Sequence, residues 1–383
     1  MSILLLTGAV AFLNHLSRLR NFDLGFRSHH VLLMVLNPLG EGYKREQLAR
    51  PYQDLLARLE AIPNVRSASI SGCTPIQGCG SSRYVMVDGV TEMPGERRLS
   101  AVSWVSPRYF ETLGIPMLAG RDFDFRDAGR PRVAIINKAM TRHYFPNQSP
   151  IGKNIRVDRD SSTGGWHGDD QRYEVVGVVG NAKYVELRDA PTRTMYLNMF
   201  QENRFAHQFE LRTSVSPASL ATAARQAVRE VLKTVQVTRV ATLSEQVDAA
   251  LVPERLVATV SGFFGALGAV IAGIGLYGLL SYSVARRTTE IGVRMALGAT
   301  VADVSLLVLW DALMMVGGGL VIGVPLALWS RPLASRLVGD LEVDGFMPLI
   351  VSGGLILLLA LLASCVPALR AARVDPVVAL RQD

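Results

Sequence analysis

Several signatures of self-sufficient chemistry are missing from this chain. No G-x-x-x-x-G-K-[ST] pattern occurs, and Gly78-Cys-Gly-Ser-Ser82 carries no lysine, so no Walker-type phosphate loop is encoded. G-x-S-x-G and H-E-x-x-H are also absent. The six histidines (His15, His29, His30, His143, His167, His207) are scattered, with no nucleophile–base–acid set among them. The adjacent His29-His30 opens a strand and reads as solvated. Cysteine is scarce, with three in 383 residues. Cys73 and Cys79 flank the turn-rich Thr-Pro-Ile-Gln-Gly. No histidine stands at ligand spacing beside them, which argues against zinc. A small-loop disulfide is one reading of the pair if the compartment is oxidising, and two unpaired loop thiols is the other. Cys365 lies in an apolar run and reads as packing. The formal net charge of +7 is spread out, with no compact basic and aromatic cluster, so no nucleic-acid partner is expected.

Charge itself is missing from long stretches. Residues 256–285 and 346–369 contain no charged residue, and 304–330 contain only Asp311. A hydrocarbon core of roughly 30 Å needs about 20 apolar helical residues, so each stretch predicts a membrane span. Residues 1–13 are apolar but short, without a basic lead or a small-residue cleavage site. They read as part of a first transmembrane helix over 1–17, the alternative being a weak signal or anchor. Arg286, Arg287 and Arg294 follow the first long span, and Arg370, Arg373 and Arg381 follow the last. The loop 331–345 between the other two spans instead carries Asp340, Glu342 and Asp344 beside Arg331 and Arg336. The positive-inside rule therefore places 286–300 and the C-terminus in the cytoplasm and residues 18–253 outside. Arg18, Arg20 and Arg27 oppose that rule but precede a long translocated domain, where it is weak. Glycines stud the first two spans, including Gly319-x-x-x-Gly323, and predict close helix packing within one bundle. Pro325 predicts a kink, and Asp311 reads as an acid near the interface with no evident partner.

The outer region reads as two strand–helix–strand units around a strand-rich middle. The first is 31–36, 45–61 and 65–71, with Leu48, Tyr52, Leu55, Leu56 and Leu59 at helical spacing. The second is 207–213, 217–233 and 235–240, with Ser216 and Pro217 suited to a helix start. An α/β porter-like part is thus expected over about 28–98 and 205–250, with a strand-rich insertion over about 99–204. Within the insertion, 133–136, 152–157 and 173–179 predict strands, 137–144 a short helix and 158–170 a Gly-rich hairpin loop. Residues 242–250 predict a helix leading into the first long span, which opens the membrane domain 254–383. The fold class is α+β: a helical membrane bundle of three full spans and a partial N-terminal one, carrying a large extracytoplasmic α/β domain.

Between the first two long spans lies Arg286-Arg-Thr-Thr-Glu-Ile-Gly-Val-Arg-Met-Ala-Leu-Gly-Ala-Thr300. As a helix it gathers Ile291, Met295 and, less neatly, Leu297 with Gly298 on one face, and sets Glu290 four residues before Arg294. It reads as an amphipathic surface helix offering a face to a partner.

This segment resembles the R-x-x-E-I-G-[IV]-R-x-A-L-G-A signature of MacB-like and FtsX-like permeases of ATP-binding cassette (ABC) systems. The outer region is similar to the MacB-type periplasmic core domain in Phe110-Glu-Thr-Leu-Gly-Ile-Pro116, Gly120-Arg-Asp-Phe123, Tyr144-Phe-Pro-Asn147, Pro150-Ile-Gly-Lys153 and Val175-Val-Gly-Val-Val179. The tail Val374-Asp-Pro-Val-Val-Ala-Leu-Arg381 also fits. Asp23-Leu-Gly-Phe-Arg27 resembles acidobacterial-type duplicated permeases that lack a fused ATPase. The resemblance implies four transmembrane helices in the bacterial inner membrane, the large domain between the first and second, and a coupling helix over 286–300. Its carried-over coupling positions are Glu290, Ile291, Arg294, Met295, Leu297 and Gly298. It also implies that the chain is no enzyme and holds no cofactor, with ATP and Mg bound by a partner ABC ATPase subunit. The other implied partners are a second copy or second permease half, membrane lipid, and a periplasmic adaptor or outer-membrane channel. The function implied is coupling of ATP hydrolysis to motion of the outer domain, for efflux or for lipoprotein or peptide handling. An FtsX-like regulator of an extracytoplasmic cell-wall hydrolase is the alternative; a membrane-anchored enzyme finds no catalytic set to support it.

Overall fold

The computed structural model describes residues 6–8, 10, 23–77, 81–87, 99–158, 170–184, 192–297, 299–338 and 347–371. The chain divides into two units, Asp23–Leu251 and Met1–Phe22 with Val252–Asp383.

In the first unit, β1 (Val31–Leu36), α1 (Ala49–Glu60) and β2 (Val65–Ser71) form one strand–helix–strand unit. Then come β3 (Ser82–Val87), β4 (Leu99–Val105), α2 (Tyr109–Leu113), β5 (Met117–Gly120), β6 (Val133–Asn137), α3 (Lys138–Tyr144), β7 (Asn154–Asp158), β8 (Asp170–Val179), β9 (Thr194–Asn198) and α4 (Met199–Glu202). A second strand–helix–strand unit follows, β10 (Gln208–Thr213), α5 (Ala221–Val231) and β11 (Val237–Thr242), and then α6 (Leu243–Ala250).

The two strand–helix–strand units share one antiparallel sheet in the order β11-β1-β10-β2, the split β-α-β arrangement of ferredoxin-like folds. Strand alternation gives the sheet two apolar faces. Leu32, Met34 and Leu36 point with Ile70, Phe209 and Leu211 toward α1 and α5. Tyr52, Leu55, Leu56 and Leu59 of α1 recur at helical spacing and fill that layer, and the Tyr52 hydroxyl donates to the carbonyl of Ala206 at 2.9 Å. Val31 and Leu33 point the other way, into a second core with Tyr109, Phe110 and Leu113 of α2 and Leu243 of α6. On this second face β2 presents buried Ser67, Ser69 and Ser71, small enough to let α2 come close; Thr112 Oγ1 donates to Ser67 Oγ at 2.9 Å.

Glu210 of β10 is fully buried on the same face. Ser69 Oγ and Ser71 Oγ donate to its two carboxyl oxygens at 2.7 and 2.5 Å. Burial outweighs those bonds and pushes its carboxyl up to about 8.

The strand-rich insertion is a barrel. Pairings run β4-β3-β7-β8-β6-β9, and the parallel pairing of β9 with β4 closes the ring of six. Closure removes the exposed strand edges an open sheet would leave. Val85, Val102, Ile136, Ile155, Tyr173, Val175 and Leu197 fill its core. Register Asp158↔Asp170 makes β7 and β8 a hairpin, although the expected loop between them lies outside the described residues. β5 adds to β8 from outside the ring, and Gly120 makes this approach feasible. Its φ is +76°, and a Cβ there would meet the Val176 carbonyl oxygen at 2.1 Å.

The second unit contains α7 (Val252–Arg286), α8 (Thr288–Ala296), α9 (Val301–Val338) and α10 (Met347–Ala371). Among the described residues, three stretches are long and apolar enough to cross a membrane: Arg255–Arg286, Ala302–Trp329 and Met347–Leu369, with mean hydropathies of 2.0, 2.0 and 2.6. α10 packs against both α7 and α9, while large apolar side chains such as Phe263, Ile274, Val321 and Trp329 face outward. Of the N-terminal apolar piece, residues 6–8 and 10 are described as helical, with Leu6 buried and the Thr7 hydroxyl 2.8 Å from that of Ser352.

The glycine expectation divides, Gly265 and Gly323 being buried and others standing in the open, and the expectation for Cys365 is corrected. A Cβ added at Gly262, Gly273, Gly275, Gly278, Gly317, Gly318 or Gly319 would meet nothing within 4 Å, so these glycines do not seat neighbouring helices within this unit. Several border instead an apolar groove of about 420 Å³ between α7, α9 and α10. Cys365 is likewise exposed rather than packed, its thiol donating to the Leu361 carbonyl at 3.2 Å. Helix α9 is continuous through Pro325.

Candidate functional site

The candidate site is α8 and the corner that leads into it. Arg287 occupies the N-cap position of α8 without capping it. Its guanidinium reaches Asp311 of α9 instead, at 3.1 Å. The acid that seemed partnerless in the sequence therefore fastens the corner to the next span. Thr288 Oγ1 donates back to the carbonyls of Ala285 and Val284 at 2.8 and 3.2 Å, satisfying two acceptors at the end of α7. After α8, Thr300 and Asp303 restart the helix with a reciprocal cap. The Thr300 amide and hydroxyl donate to Asp303 Oδ2 at 2.9 and 2.7 Å, and the Asp303 amide donates back to Thr300 Oγ1 at 3.3 Å.

The helix divides into an inner and an outer face. Ile291 is buried among Leu280, Val304, Val308 and Ala312, with Met295 packed at the edge of that cluster. Of the expected coupling positions, Ile291 and Met295 thus face inward, toward the neighbouring spans. Their stripe is the one apolar surface that can sink between α7 and α9, so it anchors the helix. Thr289, Glu290, Val293, Arg294 and Leu297 are exposed, with Leu297 at 84%. Glu290 and Arg294 pair at 2.8 Å, acid in the first turn and base in the last, which also suits the helix dipole. Both are about half exposed, so the pair is worth only a few tenths of a kcal/mol. A crevice of about 50 Å³ runs between Glu290 and Arg294 on one side and Asp303 and Leu307 on the other. Gly298 lies outside the described residues.

The geometry thus brings together Glu290, Arg294 and Leu297 on the open face and sets Ile291 and Met295 apart as anchors. It adds Thr289 and Val293 to the open face, which follow from helical spacing once the buried stripe is known. Cys73 is disulfide-bonded, whereas Cys79 lies outside the described residues. Among the described residues no group of three or more His, Cys, Asp or Glu is placed to hold a metal ion. Chemically, the site can transmit a push. It is a short lever fixed on its inner side by apolar contacts and an ion pair, and open on its outer side.

Comparison with known proteins gives this lever a context. Residues 1–231 match the MacB-like periplasmic core domain and residues 262–376 the FtsX-like permease C-terminal domain. The probable syringafactin export ATP-binding/permease protein SyfD of Pseudomonas syringae is 25% identical over 98% of this chain. The uncharacterized ABC transporter permease YknZ of Bacillus subtilis is 23% identical over 74% of this chain and 70% of its own length. The chain spans 58% of SyfD, under three-fifths of that relative's length. Among solved structures, the periplasmic region of MacB from Actinobacillus actinomycetemcomitans aligns with a TM-score of 0.38 at 12% identity, covering 59% of this chain and 94% of that one. Three long apolar helices, an outer α/β unit with a barrel, and matches to both permease regions converge on one identification: the chain belongs to the MacB-like and FtsX-like family of ABC transporter permeases.

Proposed function

We propose that this chain is the permease subunit of a MacB-type transporter in which a separate ABC ATPase, binding ATP and Mg, drives motion of the extracytoplasmic unit. α8 is the coupling helix of this reading and faces the cytoplasm. The observation that carries it is the division of α8, since a lever must be held on one side and free on the other. A nucleotide-driven push on Glu290, Val293, Arg294 and Leu297 would pass through Ile291 and the Arg287–Asp311 pair to α7 and α9, biasing a two-state element. From α7 the chain runs through Leu251 to α6 of the outer unit. Work done there would serve efflux or lipoprotein or peptide handling. A relative named for syringafactin export favours the efflux side. The reading includes a second copy or second permease half, and an adaptor or outer-membrane channel outside. A disulfide between Cys73 and Cys79 is part of the same reading, because it places the outer unit in an oxidising compartment.

The test is affinity capture of the tagged chain from its own membranes, with co-purified ATPase measured by mass spectrometry and by ATP turnover. Leu297→Asp and Glu290→Arg should each reduce captured ATPase at least tenfold while leaving the unfolding of the outer unit unchanged. Undiminished capture in both variants would sink the assignment of α8 to ATPase docking.

A further inference from the structure

The mouth of the barrel holds a polar pocket of about 270 Å³ that plays no part in the coupling described above. Arg45 enters from the turn before α1, Arg83 from β3, Trp104 from β4, and Arg204 from the turn after α4. This is where the barrel meets the ferredoxin-like sheet, and junctions and barrel mouths are preferred places for ligands. The volume lies close to the lower end of the roughly 300–1,000 Å³ usual for small-molecule sites.

The charges in this pocket are not balanced. Glu202 is already engaged, by Arg132 Nε at 2.9 Å and the Tyr173 hydroxyl at 3.0 Å. Asp158 is buried in the wall and has its own interactions. Arg45 and Arg204, by contrast, carry no side-chain ion pair among the described residues. The Arg204 guanidinium lies over the Trp104 ring, 4.5 Å from its centroid, which fixes its plane and leaves its N–H edge for another partner. The preceding Asn203 holds a left-handed φ of 49°, and so the turn that aims Arg204 is conformationally specified. Desolvation, and then repulsion from Arg83, hold the Arg204 guanidinium below its ordinary range; the attraction of Glu202 opposes them, and Arg45 adds a smaller repulsion. The Arg45 and Arg204 guanidiniums at this opening would be relieved by a bound anion.

We propose that the barrel mouth is a binding site for a small organic oxyanion, a carboxylate or phosphate ester, held by the in-plane N–H groups of Arg204 with Arg45. Guanidinium forks match both oxyanions bidentately, so the geometry selects the charged group before it selects the source. This proposal does not depend on the coupling role of α8.

The experiment is calorimetric titration of the full chain in nanodiscs, blanked against empty nanodiscs. The probes are phenylacetate, phenyl phosphate and, as the neutral control, benzyl alcohol. At least one anion should bind saturably at one site with a Kd of about 1 mM or tighter, and benzyl alcohol should not. The arm that binds more tightly identifies carboxylate or phosphate as the recognised group. Arg45→Gln/Arg204→Gln should weaken binding at least tenfold. Arg204→Lys, which keeps the charge but loses the fork, should fall between. Both arginines are exposed, so the variants should unfold at the wild-type midpoint. If neither anion saturates, or if the double variant binds as tightly as the wild type, the site is refuted.

Discussion

The two units treat their interiors in opposite ways. The outer unit is closed on itself. Among the described residues its barrel closes into a ring, its sheet is covered on both faces, and even its buried carboxyl Glu210 is held by two serine hydroxyls. In the membrane unit, several glycines face open space, an apolar groove of about 420 Å³ lies between three helices, and many large apolar side chains point outward. The first fold is complete in water. The second is a surface made to be finished by lipid and other helices, because in a bilayer apolar exposure carries no penalty and small residues are what let helices meet.

The contrast can be broken in three places. The largest effect is expected at Glu210. Folded, its carboxyl holds its proton to about pH 8, whereas unfolded it releases it near its ordinary value of 4.5. The unfolded state therefore binds fewer protons across that window. Stability of the outer unit should fall as pH rises from about 4.5 to about 8, by on the order of a few kcal/mol, and level off above. Tyr109, whose own hydroxyl is pushed well up by burial, stays protonated throughout. Urea unfolding at several pH values checks this, and Glu210→Gln should flatten the dependence. An unchanged slope in that variant would assign it to other groups.

A smaller effect compares two glycines. Gly120→Ala forces a left-handed residue with a side chain against the Val176 carbonyl and should cost about 2–3 kcal/mol. Gly262→Ala meets nothing and should lie within about 0.5 kcal/mol of wild type, helped by the better helix propensity of alanine. Thermal unfolding in nanodiscs reads both. An equal loss at Gly262 would show that its face of the span is already occupied.

The smallest effect concerns the lever. A double-mutant cycle on Arg287→Gln and Asp311→Asn should give a coupling of about 0.5–1 kcal/mol, read as amide-exchange protection in α8. The more exposed Glu290–Arg294 pair should give about 0.2–0.5 kcal/mol. A reversed order would mean that the corner is not what fixes the helix.

What the sequence revealed and what it hid follow from distance along the chain. Helical spacing of Tyr52, Leu55, Leu56 and Leu59 and the apolar run 31–36 are local signals, and both strand–helix–strand units were readable from them. Barrel closure rests on β4 pairing in parallel with β9, strands separated by most of the insertion, and no periodicity announces a partner that remote. The short β5 and the helix α2 were missed because four or five residues do not establish a period. The segment 286–300 was visible as an amphipathic helix, but not which of its faces the neighbouring spans cover. Spacing shows that Ile291 and Met295 share a face; only the neighbouring spans show that the face is filled. Asp311 lacked a partner in the sequence because Arg287 reaches it across a helix reversal. The arginines of the barrel mouth come from three separate stretches, so only folding gathers them.

The placement of the barrel inside the ferredoxin-like sheet also sets an order of events during biogenesis. β1 leads the outer unit, yet both its hydrogen-bonded neighbours, β10 and β11, are encoded beyond the whole insertion. The barrel strands are contiguous by comparison and can pair as soon as they emerge. Until β10 and β11 follow, Val31–Leu36 is an apolar strand with two open edges. Completion of the sheet must wait for the last strand before the first long span, so the outer unit gains its full fold only as the chain reaches the bilayer again.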